Sequence, residues 1–425
     1  MSSKTNEVLT KAQGAKVASN FLANLSTKEK NNAISKAAKN INKHSDKIIQ
    51  INKQDIKKAK KNKINESFID RMFLDKKRIS QIAKSLMDVV QLDDPIGIME
   101  DVKMRPNGMQ VGKRRVPLGV IGAIFESRPN VAIEIASLCL KSGNAVVMRS
   151  GSDAHASAKV LTEIFVDSIK QAGIPADCIG FIETKDRQAV NEMLKLSDYI
   201  DLVIPRGGSG LINLVKSKSR IPVVAGGIGV CHTYIDKDVD LELAKNIVVN
   251  AKIRRPSVCN TLDTVLIHSK VADDFLKILK DDFENFKVTM HVDKKVEQIL
   301  QLGKKNNLII PVKKSDYNRE WLSLDCSVKI VDSIEEAIEH INLIGSAHSE
   351  AIATSSYVAA QKFQNEVDAS SIFVNVSTGF ADGGEYGLGN EFGISTQKLH
   401  ARGPMGLKEL TSYKWIIQGN GQVRD

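Results

Sequence analysis

The sequence predicts an α/β fold made of two units, each with a parallel sheet, and a small β arm. Three observations carry this expectation. From Pro117 onward, short β-branched runs alternate with helical patterns, the order that sets a parallel sheet between two layers of helices. Polar residues with interspersed valine and methionine surround Pro106-Asn107-Gly108, a hairpin signal. Near the end, Tyr413-Lys414-Trp415-Ile416-Ile417 reads as one more short strand, suited to pair with that hairpin.

Taken in order, residues 1–93 are helical, with apolar positions recurring at three and four. Ser26 with Glu29 forms a capping box, and Pro95 closes the segment. Ile48, Ile49, Ile51 and Ile56 mark a buried stripe, with the lysines from Lys57 to Lys63 on the solvated face. The hairpin is expected over 101–113. Such an arm is marginal alone and calls for a partner, in this case another subunit. Strands follow at 119–125, 145–148, 179–182 and 199–204, with helices at 131–142 and 157–171. Residues 221–227 read as a linker. The second unit holds the strand Thr264-Val265-Leu266-Ile267 and helices at 271–286 and 334–341.

A chain of 425 residues suits two or three domains, and 42% hydrophobic with 26% charged residues is ordinary for a globular protein. The apolar run from Val116 to Phe125 contains glycine and is too short to span a bilayer, and no apolar stretch follows Met1-Ser2-Ser3-Lys4, so a cytoplasmic protein with no membrane partner is expected. The net charge of +10 is concentrated in lysines of the first quarter, where no aromatic residues interleave to stack on bases, so no nucleic acid is expected. Five cysteines lie far apart, with no CxxC pair and no cysteine–histidine cluster; the expectation is reduced thiols and no metal.

Of those cysteines, Cys259 stands out. It follows Arg254-Arg255-Pro256 and precedes Asn260. A thiol attacks as its thiolate, and neighbouring guanidinium groups stabilise that anion. The competing reading is a small buried hydrophobe, the usual fate of a free cysteine. A strand ending at Ile204 runs into Pro205-Arg206-Gly207-Gly208-Ser209-Gly210 and then a helix, an arrangement whose free N–H groups suit a diphosphate or merely a tight turn. Asn213 stands where the last glycine of GxGxxG would be. At another strand end, Met148-Arg149-Ser150-Gly151 offers a guanidinium to a phosphate.

These residues resemble a known family. The segment 250–260, Phe125-Glu126-Ser127-Arg128-Pro129-Asn130-Val131, the block around Glu339-His340-Ile341 and Gly345-Ser346-Ala347-His348-Ser349-Glu350, and Gly393-Ile394-Ser395-Thr396-Gln397-Lys398-Leu399-His400 are similar to the γ-glutamyl phosphate reductases, within the aldehyde dehydrogenase superfamily. The pattern departs at Ile344, where the family has tyrosine or histidine, and at Ala347; His340 and His348 are expected to play structural parts.

The resemblance implies an aldehyde-dehydrogenase-like fold with a parallel-sheet NADPH-binding domain over 1–99 and 119–232 with part of 380–402, an α/β catalytic domain over 233–379, and an oligomerisation arm over 100–118 and 403–425. It implies NADPH-dependent reduction of L-glutamyl 5-phosphate to glutamate 5-semialdehyde in proline biosynthesis, a homo-oligomer, and a glutamate kinase as partner. Cys259 would be the nucleophile. Arg255 and Arg128 would hold phosphate, and Asn260 and Asn130 would help stabilise an oxyanion. Arg149, Ser150, Gly207, Gly208 and Ser209 would hold the cofactor. Acid-forming relatives activate water with a glutamate before the cysteine; the comparable turn here reads Ala225-Gly226-Gly227, so that base is missing. The alternatives are a related acyl-phosphate or aldehyde dehydrogenase with another substrate, a cysteine acyltransferase or hydrolase without nicotinamide, and a basic nucleic-acid-binding protein.

Overall fold

The computed structural model describes residues 3–126, 128–300 and 307–424, and the chain divides into two compact units. One comprises residues 1–226, 387–393 and 404–425, the other 227–386 and 394–403.

The first unit opens with helices α1 (Ser3–Leu22), α2 (Thr27–Lys43), α3 (Ser45–Lys61), α4 (Glu66–Met72) and α5 (Lys76–Gln91). Ser26 and Glu29 cap α2 reciprocally, as predicted, and Ala33, Ile34, Ala37 and Ile41 form its buried stripe. α3 differs from the expected apolar stripe. Ile48 is buried, but so are Asn52 and Asp55. Each has partners: Asn52 Nδ2 donates to the Met72 carbonyl at 2.8 Å, and Asp55 Oδ2 accepts from both the N–H and the Oγ of Ser157 at 2.8 Å. A buried polar group is tolerated when its hydrogen bonds are made, and these two staple α3 to the start of a later helix.

Strands β1 (Met99–Met104) and β2 (Gln110–Pro117) form the hairpin. β16 (Thr411–Gln418) pairs antiparallel with β2 along its whole length, Thr411 opposite Pro117 and Gln418 opposite Gln110. Lys113 Nζ lies 4.9 Å from the Tyr413 ring centroid and 5.2 Å from that of Trp415, a cation–π contact on the exposed arm.

β3 (Val120–Phe125), α6 (Val131–Lys141), β4 (Ala145–Ser150), α7 (His155–Lys170), β5 (Ile179–Phe181), α8 (Gln188–Met193), β6 (Leu202–Arg206) and α9 (Ser209–Lys218) follow. Their parallel sheet has the order β5-β4-β3-β6. The expected linker at 221–227 is partly structured: Val223 makes a parallel bridge to Val203, with the Val203 N–H donating to Pro222 and the Val224 N–H to Val203. Pro222 supplies an acceptor without needing a donor of its own, so it sits at this edge without loss.

The second unit contains β7 (Cys231–Ile235), α10 (Leu241–Ile253), β8 (Leu262–His268), α11 (Ala272–Asn285), β9 (Thr289–Val292), α12 (Lys294–Ile299), β10 (Ile309–Pro311), β11 (Asp325–Val331), α13 (Ile334–Ile344), β12 (Ser349–Ala353), α14 (Tyr357–Glu366) and β13 (Ser371–Val374), with two-residue strands β14 (Ile394–Ser395) and β15 (Gly403–Pro404) near its end. Among the described residues its sheet has seven parallel strands in the order β10-β9-β11-β8-β7-β12-β13. Apolar residues of β8, β9, β11, α10 and α11 pack on one face, and Tyr234, Leu266, Ile338 and Phe363 on the other. Among the described residues no helix is long and apolar enough to cross a membrane.

Candidate active site

In the first unit the register of three strands gathers the predicted cofactor residues. Phe125 of β3 lies beside Ser150 of β4 and Arg206 of β6, so the turns after all three strands emerge in one row. In a parallel sheet this is where phosphates bind, at the carboxyl ends beside the point where strand order reverses. Gly207, Gly208 and Ser209 form the turn into α9, and a Cβ at Gly208 or Gly210 would meet nothing within 4 Å, so the space over the turn is open. One donor there is taken: the Gly208 N–H donates to Glu126 Oε2 at 3.0 Å. A Cβ at Gly207 would sit 2.4 Å from the same carboxylate, so a larger residue there would displace Glu126 from the turn.

Arg149 is buried, with Nη2 donating to the Lys185 carbonyl at 3.1 Å and Nε without a partner among the described residues. Burial and the neighbouring Arg187 charge both act against its guanidinium, the surroundings of a cation that gains from a bound anion. Ser150 is committed internally, its Oγ 2.9 Å from His155 Nδ1. An open helix N-terminus beside an under-satisfied arginine fits a dinucleotide phosphate. Arg128 and Asn130 also belong to this unit, and the Asn130 amide donates to Glu134 Oε1 at 2.7 Å.

In the second unit, Cys259 lies in the turn between α10 and β8. It is partly exposed, whereas Cys139, Cys178, Cys231 and Cys326 are buried. Burial pushes the thiols of Cys178 and Cys326 up to about 12, leaving them inert at neutral pH. The turn is held from several directions. The buried ammonium of Lys252, in the last turn of α10, donates to the Leu262 carbonyl at 2.8 Å and closes the turn's two ends. Thr261 Oγ1 donates to the Arg255 carbonyl at 2.8 Å, and Thr378 Oγ1 to the Asn260 carbonyl at 2.7 Å. Asn260 is buried and its amide donates to the carbonyls of Ala381 at 3.0 Å and Gly379 at 3.4 Å. Arg254 Nη2 donates to Gly379 as well, at 2.9 Å, while the exposed Arg255 guanidinium has no partner among the described residues.

The remaining side of the turn meets the lead into β7. A Cβ on Gly229 would fall 1.6 Å from the Cys259 carbonyl oxygen, so only glycine admits this approach. The Gly229 N–H donates to Glu320 Oε1 at 3.0 Å, and Cys231 Sγ lies 3.2 Å from the Cys259 carbonyl oxygen. β7 and β8 shift register here: Cys231 is opposite Leu262 but His232 is opposite Thr264, leaving Asp263 as the extra residue of a bulge. Its carboxylate accepts from the N–H of Trp321 at 3.0 Å and of Cys231 at 3.3 Å. Burial pushes the Asp263 carboxyl up to about 7, against the pull of Lys252.

Residues 1–300 match the aldehyde dehydrogenase family. The γ-glutamyl phosphate reductases of Dehalococcoides mccartyi and Clostridium tetani are 46% and 45% identical over 418 and 421 residues, 98% of this chain and 98% of each relative. The crystal structure of γ-glutamyl phosphate reductase from Thermotoga maritima matches with a TM-score of 0.95 at 40% identity, covering 99% of this chain and 100% of that one. The chain belongs to the γ-glutamyl phosphate reductases, within the aldehyde dehydrogenase family. It is therefore an oxidoreductase of that family.

In this reductase His340 and His348 are buried. His340 Nδ1 lies 3.3 Å from Lys329 Nζ, and His348 Nδ1 lies 2.9 Å from Ser349 Oγ. Desolvation holds them low, at about 3 and about 4, so both are neutral at physiological pH. The buried His232–Glu350 contact, 2.9 Å between Nδ1 and Oε2, escaped sequence reasoning. So did Glu320, Asp263 and Gly229. A glycine two residues before a strand was the one available signal of the close approach.

Proposed function

We propose that this enzyme reduces L-glutamyl 5-phosphate to L-glutamate 5-semialdehyde with release of phosphate, using NADPH and a thioester on Cys259, as a step of proline biosynthesis. The observation that carries the chemistry is the one cysteine not fully buried, held in a turn whose backbone is fixed on several sides. The names borne by relatives covering 98% of the chain support the substrate.

The Cys259 thiolate attacks the acyl carbon, the sulfur–carbon bond forms, and the carbon–oxygen bond to phosphate breaks. Phosphate is a good leaving group, and the Arg255 guanidinium, without another partner among the described residues, receives it. The turn into α9 and Arg149 would hold a reduced nicotinamide dinucleotide, which would supply hydride of the kind a thioester carbon requires. The hemithioacetal then collapses, breaking the sulfur–carbon bond, releasing aldehyde and restoring the thiolate. The Cys259 N–H stabilises the oxyanion at each tetrahedral stage; one such donor is worth roughly 3 kcal/mol. Asn260, its amide committed to Gly379 and Ala381, serves by fixing the turn. Ser150 serves by holding His155 at the start of α7. With no glutamate in the turn at 225–227, the thioester is spared hydrolysis.

The first unit serves as the NADPH-binding domain, the second as the catalytic domain, and the arm as the oligomerisation element. The apolar Met99, Val102, Met104, Trp415 and Ile417, exposed on the arm, support that last assignment. A kinase making the acyl phosphate is the expected partner, in the cytoplasm.

The test runs the reaction in reverse, supplying glutamate 5-semialdehyde, NADP⁺ and phosphate and following NADPH absorbance. Phosphate-dependent NADPH formation is the expected result. Turnover without phosphate would mean an acid-forming dehydrogenase, and no change in absorbance would remove the nicotinamide altogether.

A further inference from the structure

We infer that Cys231 is a positioning residue: its thiol holds the peptide carbonyl of Cys259 and so fixes where the reacting sulfur stands. This rests on the reading of Cys259 as the nucleophile. Cys231 is fully buried at the first position of β7, with Sγ 3.2 Å from the Cys259 carbonyl oxygen. Its own backbone is anchored, the N–H donating to Asp263 Oδ2 at 3.3 Å within the β7–β8 bulge. His348 Nδ1 is 4.0 Å from the sulfur and lies 2.9 Å from Ser349 Oγ, so of these two acceptors the carbonyl is the nearer. Burial, with the Glu350 and Asp263 charges behind it, pushes the Cys231 thiol well up, so it stays an S–H donor.

The Cys259 carbonyl is thus gripped between two parts of one strand lead. Gly229 presses backbone against it and Cys231 donates to it. The carbonyl carbon is one bond from the Cys259 Cα, so a tilt of that peptide swings the Cβ and Sγ away from the line of attack. A buried cysteine can also be mere filling, and a serine at this position separates the two roles: it keeps a donor while removing the apolar sulfur.

The test compares Cys231→Ala with Cys231→Ser in the full-length enzyme, at a temperature where circular dichroism shows each folded. The readouts are kcat, KM and the rate at which iodoacetamide alkylates Cys259, with Cys259→Ser giving the background. For the alanine variant we expect kcat and alkylation to fall about five- to tenfold with KM within about twofold of the parent, and for serine to restore both. An alanine variant that reacts like the parent, or a serine variant as slow as alanine, overturns the inference. Activity retained in Cys259→Ser would instead bring down the nucleophile reading, and the alkylation rates would still judge Cys231.

Discussion

Replacing Gly229 by alanine is the most direct test of how the turn that carries Cys259 is held. The added methyl carbon would lie 1.6 Å from the Cys259 carbonyl oxygen, 2.5 Å from its carbonyl carbon and 2.9 Å from its Cα. Real Cβ atoms stay at least 3.0 Å from such neighbours, so the carbonyl oxygen must retreat by 1.4 Å, the difference between 3.0 and 1.6. The atoms in the way are backbone, and Lys252, Thr261 and Thr378 hold the same turn from other sides, so no flexible side chain absorbs the shift. A misplacement of about 1 Å near a reacting centre costs on the order of a hundredfold in rate. Gly229→Ala should therefore lower kcat/KM by about a hundredfold or more. The accompanying loss of stability should be about 1–3 kcal/mol, as for other overpacked sites. Reverse-direction turnover and thermal melting measure these two effects, and iodoacetamide labelling of Cys259 reports the displaced turn. An alanine variant within about threefold of the parent in turnover would show that the turn is not held as described.

Further outcomes are expected elsewhere. Cys259→Ser should abolish turnover while leaving NADPH binding, followed by fluorescence, intact; more than about a tenth of the activity remaining would exclude a covalent thioester. Arg149→Ala should weaken NADPH roughly tenfold more than NADH in direct titrations, since a buried guanidinium with an unpartnered Nε is suited to a 2′-phosphate; equal losses would contradict this. His348 sits near 4 in the folded chain and near 6.5 when unfolded, so the unfolded state takes up a proton first as pH falls. Its contribution to stability is present above pH 6.5 and lost toward pH 4. The melting temperature of the parent should accordingly drop relative to that of His348→Gln across this window, and parallel curves would rule out a buried neutral histidine.

Much of the architecture was legible because it is written in local patterns. The Ser26–Glu29 box, the hairpin at Pro106-Asn107-Gly108 and the alternation of strand and helix after Pro117 each depend on residues a few positions apart. Cys259 could be singled out as a candidate for a similar reason, since its arginines, proline and asparagine adjoin it in the chain. What was not legible depends on register between distant segments. Asn260 could be read as an oxyanion donor until the fold carried the carbonyls of Gly379 and Ala381 to its amide. Ser150 looked available until His155, one helix start later, took its hydroxyl. Glu126 lay beside a recognisable motif, but its position at the Gly208 N–H follows only from β3 pairing with β6. The bulge at Asp263 likewise has no local signature, yet it turns a carboxylate toward Cys231 and Trp321.

The arm carries a consequence for how the protein is made. Because β16 lines up beside β2, with Thr411 opposite Pro117, the central ribbon waits with one flank bare while the whole second unit is synthesised. During that interval its unpaired backbone edge can capture any other extended chain, the hazard that exposed edges bring to nascent proteins. Segments 387–393 and 404–425 also return to the first unit after the second, so that unit becomes whole only late in translation.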